Sequence, residues 1–256
     1  MGTALISQRK GRKSSVFNAP SHRFTANVVY PLPTPKEKEG AMRGEVLELV
    51  DDVGRCGILA KILLEDGRVI YNIAAEGQRE GDLLSFGSKA TVKPGAVLPL
   101  AAIPDGVPVY NVELTPGDGG KIARTSGSGA FVLSRDEETG LVSVVLASKS
   151  VKMLKPACRV TIGVPAGGGR LEKPLMKAGD AYYKTHARNR YWPIVRGTAM
   201  SAYDHPHGGK SFGCPTAVKR SAPPGQKTGH IAASRTGRKR GKRERGAAAG
   251  IEASKA

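Results

Sequence analysis

Through residues 41–165 apolar side chains recur at every second position and turn signals arrive at intervals of roughly ten residues, a rhythm that short strands satisfy and helices do not. Val46–Val50 and Ile58–Leu64 read as strands. Asp66-Gly67 supplies a hairpin turn into Val69–Ile73, where Val69, Tyr71 and Ile73 share a face. A Pro/Gly-rich stretch, Lys93–Gly95 and Pro99–Gly106, interrupts the pattern and marks a junction. Beyond it Tyr110, Val112 and Leu114 alternate with Asn111 and Glu113. Phe131–Leu133, a turn at Asp136–Gly140, and Val142, Val144 and Leu146 follow; Cys158, Val160, Ile162 and Val164 then alternate with Arg159, Thr161 and Gly163. The economical reading is all-β, two small barrels of roughly 60 to 75 residues each, a size at which a hydrophobic core barely offsets chain entropy. One helix is expected around Lys177–Arg190. Its Tyr182 and Tyr183 either pack on a barrel or a neighbouring loop, or stack on bases or ribose.

Charge separates this body from its flanks. Residues 1–40 hold 7 Lys/Arg against 2 Asp/Glu and residues 166–256 hold 19 against 5, whereas residues 41–165 hold 14 against 15; the sum is +18. A neutral body with two basic extensions calls for a long polyanion, and nucleic acid is the leading candidate. The extensions are dense in Gly, Pro, Lys and Arg, as in Ser201–Arg245, so they are expected to order on binding. Cys56, Cys158 and Cys214 form no CxxC pair, which argues against a disulfide framework or zinc knuckle and for a reducing compartment. Met1–Lys13 has no apolar signal core and no myristoylation pattern, and no run approaches the roughly 20 apolar residues that span a bilayer, so no membrane partner is expected. A transit peptide is the alternative reading of the basic start.

Pro116–Lys121, PGDGGK, lacks the spacing of a Walker loop, because Thr115 and Ile122 stand where Gly and Ser/Thr belong. It reads as a Gly-rich loop presenting backbone N–H groups, Lys121 and Arg124 to RNA phosphates, or as a plain tight turn. Gly209–Gly213 matches G-x-S-x-G, but in a basic Gly/Pro tail rather than a strand-turn-helix elbow. Asp204, His205 and His207 with Gly208 and Gly209 form the densest polar constellation. His186, His230 and Cys214 show no ligand-type spacing around it, so no metal site is expected and a shaped loop against RNA is preferred. Gly167-Gly168-Gly169-Arg170 is either a hinge or a close approach to an RNA backbone. Arg235–Arg245 is a basic run suited to phosphate contact.

Taken in order, Gln8-Arg9-Lys10-Gly11, Ala74-Ala75-Glu76-Gly77, Pro116–Lys121 with Ala123-Arg124, Val164 with Ala166–Arg170, Lys173-Pro174, Lys177-Ala178-Gly179, Trp192-Pro193, Val195–Met200, Asp204–Gly209, Ala222–Gly225 and Arg235–Arg238 resemble the universal large-subunit ribosomal protein L-two family, in its archaeal/eukaryotic branch. The resemblance runs over essentially the whole chain. Ser201-Ala202-Tyr203 and Lys210 depart from the family pattern, the loop Ser211–Pro215 is shorter, and Pro31–Glu39 and Ala247–Ala256 fall outside the resemblance and are expected to be peripheral.

The resemblance implies an OB-like barrel followed by an SH3-like barrel, with long basic N- and C-terminal extensions that penetrate large-subunit ribosomal RNA near the peptidyl-transferase region. The expected division is a basic arm over 1–40, the OB-like barrel over 41–106, the SH3-like barrel with its short helix over 107–190, and an RNA-penetrating extension over 191–256. Candidate RNA contacts are Arg9, Lys10, Arg12 and Lys13 at the start; Lys121, Arg124 and Arg170 on the body; Lys177, Lys184, Arg188 and Arg190 about the helix; and Trp192 and Arg196 after it. His205, His207 and Lys210, then Lys219 and Arg220, and finally Arg235, Arg238, Lys239 and Arg240 complete the set. By motif His205 is the histidine linked in the family to peptidyl transfer; with no partner base or oxyanion hole in view, an architectural role is expected. Further expected partners are neighbouring ribosomal proteins and the small subunit at an intersubunit contact, in the cytoplasm, with no cofactor beyond magnesium bridging to RNA. A reversible translation or RNA-processing factor and an enzyme using Asp204, His205 and His207 are the competing readings.

Overall fold

The computed structural model describes residues 3–12, 15–170, 172–209 and 216–233. They form two units, Ser15–Trp192 and a smaller one made of the N-terminal segment with the chain from Pro193 onward. The chain opens in the smaller unit with α1 (Ile6–Gly11), where the Gln8 side chain accepts the Leu5 N–H at 2.9 Å. In the larger unit α2 (Pro35–Glu39) starts at a reciprocal cap: Thr34 Oγ1 accepts the Glu37 N–H and Glu37 Oε2 accepts the Thr34 N–H, with Pro35 in the first turn, where its missing N–H costs nothing.

Ten strands follow: β1 (Met42–Val50), β2 (Leu59–Leu64), β3 (Val69–Ile73), β4 (Leu83–Phe86), β5 (Val97–Pro99), β6 (Pro108–Tyr110), β7 (Ala130–Arg135), β8 (Val142–Val145), β9 (Val151–Leu154) and β10 (Arg159–Ile162). Their order is β3-β2-β1-β4-β5-β10-β6-β7-β8-β9. Every neighbour is antiparallel except β4 and β5, which meet in parallel through the single pair Phe86 and Val97. That seam divides the sheet into an OB-like half and an SH3-like half, each with its own core. Met42, Val46, Ile62, Leu64, Leu84 and Phe86 fill the first, and Leu98, Leu100, Ile103, Val132, Val144 and Val160 fill the second. Val28, Leu59, Ile73 and Tyr110 make a third cluster. The Asp66-Gly67 turn is present, with the Gly67 N–H donating to Leu64 O and the Arg68 N–H to the Asp66 carboxylate.

Three expectations need correction. The alternation through Leu114 does not make a strand: β6 stops at Tyr110, because Asn111 takes a positive φ of 50° and turns the chain. Asn111 and Glu113 are consequently fully buried, and Leu114 is 38% exposed. Second, the stretch before the barrels is not peripheral. Val28 and Tyr30 are buried in the body, and Glu37, inside the supposedly peripheral Pro31–Glu39, is 5% exposed. Third, β10 is buried on both faces, Thr161 included, because it runs between β5 and β6 while the Tyr30 hydroxyl reaches Thr161 from the other side.

The last helix of the larger unit is α3 (Ala178–Ala187), inside the expected span, and no side chain on it is buried. In the smaller unit β11 (Ala217–Val218) and β12 (His230–Ile231) pair in parallel. No described helix is long and apolar enough to cross a membrane.

Candidate nucleic-acid interface

The PGDGGK loop does cradle an anion, but the anion is its own neighbour. The turn at Asn111 sends Glu113 inward, where its carboxylate accepts the N–H of Gly117 at 3.3 Å and of Gly119 at 3.1 Å. Arg159 completes the shell: its backbone N–H donates to Glu113 Oε2 at 2.9 Å, and its Nη2 and Nε donate to Oε1 at 2.9 and 3.2 Å. The loop packs so tightly that a Cβ on Gly120, which has φ +84°, would stand 2.5 Å from Asn111 Oδ1. These N–H donors are therefore spent on the body, which corrects the expectation that they face phosphate. Lys121 stays exposed beside the loop, 2.9 Å from Asp118.

The expected cations of the body divide into two kinds. Arg124 is half-buried and donates to the Val28 and Gly120 carbonyls; burial, then the charge of Arg55, lowers its pKa. Arg188 caps α3 and clamps the loop after β1, donating to Val53 O at 3.1 Å, Arg55 O at 2.5 Å and Cys56 Sγ at 3.0 Å. Arg170 donates to Ser126 Oγ at 2.9 Å, and the glycines before it lie against the chain's own backbone, Gly168 beside Gly127, rather than forming a free hinge. Lys177, Lys184 and Arg190, by contrast, face solvent, and Trp192 is 36% exposed. On α3 Tyr182 stacks on His186 at 5.6 Å and meets the edge of Tyr183 at 5.5 Å. Tyr183 is 74% exposed, so it does not pack against a barrel.

In the smaller unit Arg9, Lys10, Arg12, Arg196, Lys219 and Arg220 are all exposed. Lys13, Lys210, Arg235, Arg238, Lys239 and Arg240 lie outside the described residues. His205 is the keystone. Its Nδ1 accepts the His207 backbone N–H at 3.0 Å and its Nε2 lies 3.1 Å from Thr228 Oγ1. Because Nδ1 must be bare to accept, the ring proton sits on Nε2 and donates to Thr228. Burial, then the neighbouring His207 ring at 4.9 Å, lowers the pKa of His205 and favours that neutral form. A Cβ on Gly197 would fall 2.3 Å from the ring, so only glycine fits there. Asp204 accepts the Thr3 hydroxyl at 2.6 Å, tying α1 to this loop. Both nitrogens of His205 are thus engaged in holding the loop. Among the described residues no group of three His, Cys, Asp or Glu side chains could hold a metal ion.

Thr228 could not have been found from sequence, since nothing in its local pattern points to a histidine 23 residues away. Glu113 was hidden by the apparent alternation around it.

The family described as "Ribosomal Proteins L2, C-terminal domain" matches residues 93–229. The "Large ribosomal subunit protein uL2" of Methanocaldococcus jannaschii is 46% identical over 241 residues, 93% of this chain and 99% of the relative. Those of Methanothermobacter thermautotrophicus and Methanopyrus kandleri are 44% and 45% identical, over 94% and 93% of this chain and 100% and 98% of theirs. With identity at this level over almost the full length of both partners, and a matched segment running from β5 to the glycine beside Thr228, the chain belongs to the ribosomal protein L2 family, in its archaeal form.

Proposed function

We propose that this chain is a structural constituent of the large ribosomal subunit, in the cytoplasm, where it binds ribosomal RNA and neighbouring ribosomal proteins. One observation carries the reading. Among the described residues of the smaller unit no apolar side chain is buried, while its cations are exposed. Such a segment lacks the apolar burial that repays ordering entropy, so a polyanion supplies the missing free energy. In this reading the chain divides into a basic N-terminal part over 1–40, partly packed on the body, an OB-like barrel from 41 to the seam after β4, earlier than the expected 106 because Leu98, Leu100 and Ile103 pack in the second core, an SH3-like barrel with its helix from β5 to 190, and an RNA-penetrating extension over 191–256. The exposed cations, with Trp192, touch RNA, whereas Arg124, Arg170 and Arg188 position the loops that carry them. His205 shapes the loop that reaches the peptidyl-transferase region and is not a catalyst. Contact with the small subunit during subunit association belongs to the same proposal.

The test is the salt dependence of binding to large-subunit RNA. With about 8 phosphates neutralised, log K should fall against log salt with a slope of roughly −6 to −7. A slope near zero would sink the electrostatic account.

A further inference from the structure

One cleft of the larger unit has the wrong chemistry for RNA. About 610 Å³ in volume, it lies between α2, the residues before it and the ends of β4, β5 and β10. Pro31, Pro33, Pro99 and Pro116 wall it, and Leu32 lines it while remaining 76% exposed. Its polar feature is Glu37, only 5% exposed. Glu37 Oε2 accepts the Thr34 N–H and stands 3.8 Å from Arg159 Nη1; among the described residues Oε1 accepts no hydrogen bond. Arg159 has little left to give, for its Nη1 donates to Pro31 O at 2.8 Å and its other donors hold Glu113. Two carboxylates therefore face one guanidinium. Lys38, exposed at the rim, pairs with neither carboxylate among the described residues. Burial pushes the Glu37 carboxyl above its ordinary value, outweighing the Thr34 N–H, the Arg159 charge and the weaker charge of Arg68, which is itself paired with Asp66.

We propose that this cleft receives a lysine or arginine side chain from an extended segment of a neighbouring protein, its methylenes against the prolines and its charged head on Glu37. A long cationic side chain is the ligand that satisfies both parts, since its stem is apolar and its head seeks an acceptor. Phosphate is disfavoured by the carboxylate, and base stacking lacks a platform because the aromatic rings lining the cleft, Tyr30 and Phe86, are 4% and 2% exposed. The inference rests on residence in the large subunit; within it, this face is reserved for protein.

A photo-crosslinking amino acid at Leu32, whose exposure keeps it out of the fold, tests this in purified large subunits. The expected adduct is a protein segment with Lys or Arg within about two residues of the crosslinked position, extended chain rising about 3.3 Å per residue. Glu37→Gln, which keeps the α2 cap and removes the charge, should lower its yield at least fivefold. Leu32→Lys should deny the segment access without altering the unfolding midpoint of the protein. An adduct to RNA, an adduct to a segment without a basic residue, no adduct in subunits that contain the labelled chain, or a yield indifferent to Glu37→Gln would each overturn the proposal. Failure of the labelled chain to enter subunits would instead count against the ribosomal reading. The cleft would then be judged on the isolated full-length protein by methyl NMR at Val97 and Leu32. There a capped Leu-Arg-Leu peptide should bind at least tenfold more tightly than capped Leu-Glu-Leu or guanosine monophosphate, and equal binding would refute the assignment.

Discussion

The two units solve the same problem, holding polar groups in place, by opposite means. In the larger unit a carboxylate is taken wholly out of water: Glu113 has no exposed surface, and five N–H donors from Gly117, Gly119 and Arg159 surround it inside a body with three apolar clusters. In the smaller unit the corresponding device is His205, half-buried and held by one backbone N–H and one hydroxyl, with no apolar cluster behind it among the described residues. The difference assigns energy to different sources. The body rests on its own apolar cores, whereas the described residues of the smaller unit hold their shape by polar contacts.

The sharpest way to break the comparison is at Glu113. Glu113→Ala strips Arg159 of its nearer carboxylate and orphans buried N–H groups, and should cost about 3–5 kcal/mol of stability. Urea unfolding of the full chain followed by far-UV circular dichroism checks this. Replacing Arg159 by Met as well should recover only part of the loss, because Gly117 and Gly119 still lack their acceptor. A loss below about 1 kcal/mol would mean that the buried pair contributes no more than a surface one.

His205→Ala should be smaller and confined to one unit. It removes the acceptor of the His207 N–H and the partner of Thr228, a local loss of about 1–3 kcal/mol, read as faster amide exchange at His207 with the body unchanged. Protonation does the same reversibly. The folded pKa lies below the ordinary 6.5, so the unfolded ring binds its proton more readily. The ring's contribution is complete above about pH 6.5 and is lost as pH falls through the depressed folded value. Protection of the His207 amide should therefore decline on acidification in the parent protein and stay flat in the variant. A role in catalysis would show instead as a hundredfold or larger drop in single-turnover peptide-bond formation by fully assembled mutant ribosomes, with an imidazole titration removed.

Arg188→Lys should cost about 1–2 kcal/mol. Lysine keeps the charge but cannot fork onto Val53 O, Arg55 O and Cys56 Sγ together. The expected readout is faster exchange in α3 with little change at β1, and uniform destabilisation would show that α3 is part of the core.

What sequence revealed and what it concealed follow from the range of the forces. The hairpin at Asp66-Gly67 was legible because turn chemistry and alternation are local. The basic, core-poor extension from Pro193 onward was legible from composition. Val28 and Tyr30 were not, since in the short stretch FTANVVYPLP exposed Val29 and Leu32 are as apolar as the buried pair and no period marks the inward side. The Tyr110–Leu114 alternation misled because a single left-handed residue, Asn111, turns the chain so that polar Asn111 and Glu113 are buried along with Tyr110 and Val112. At the site the cations were legible as a class from composition, but the division between solvent-facing Lys184 and internally committed Arg124 depends on carbonyls as far away in sequence as Val28.

The smallest effect on stability is expected at Tyr183, and it separates the two readings of α3 most cleanly. The ring is 74% exposed and meets Tyr182 in a T-shaped contact, so Tyr183→Ala should leave the unfolding midpoint within about 0.5 kcal/mol of the parent. If the ring serves as a platform for a base, the same change should weaken binding to large-subunit RNA by about 1–3 kcal/mol, roughly 5- to 150-fold. The salt slope should stay the same, because no phosphate contact is removed. Lys184→Ala, one residue along, should do the reverse, losing less affinity but lowering the slope by about one. Filter binding of both variants at four salt concentrations makes the distinction. Equal slopes with unchanged affinity for Tyr183→Ala would leave α3 an electrostatic contact alone, and a stability loss above about 1 kcal/mol would return that tyrosine to the body.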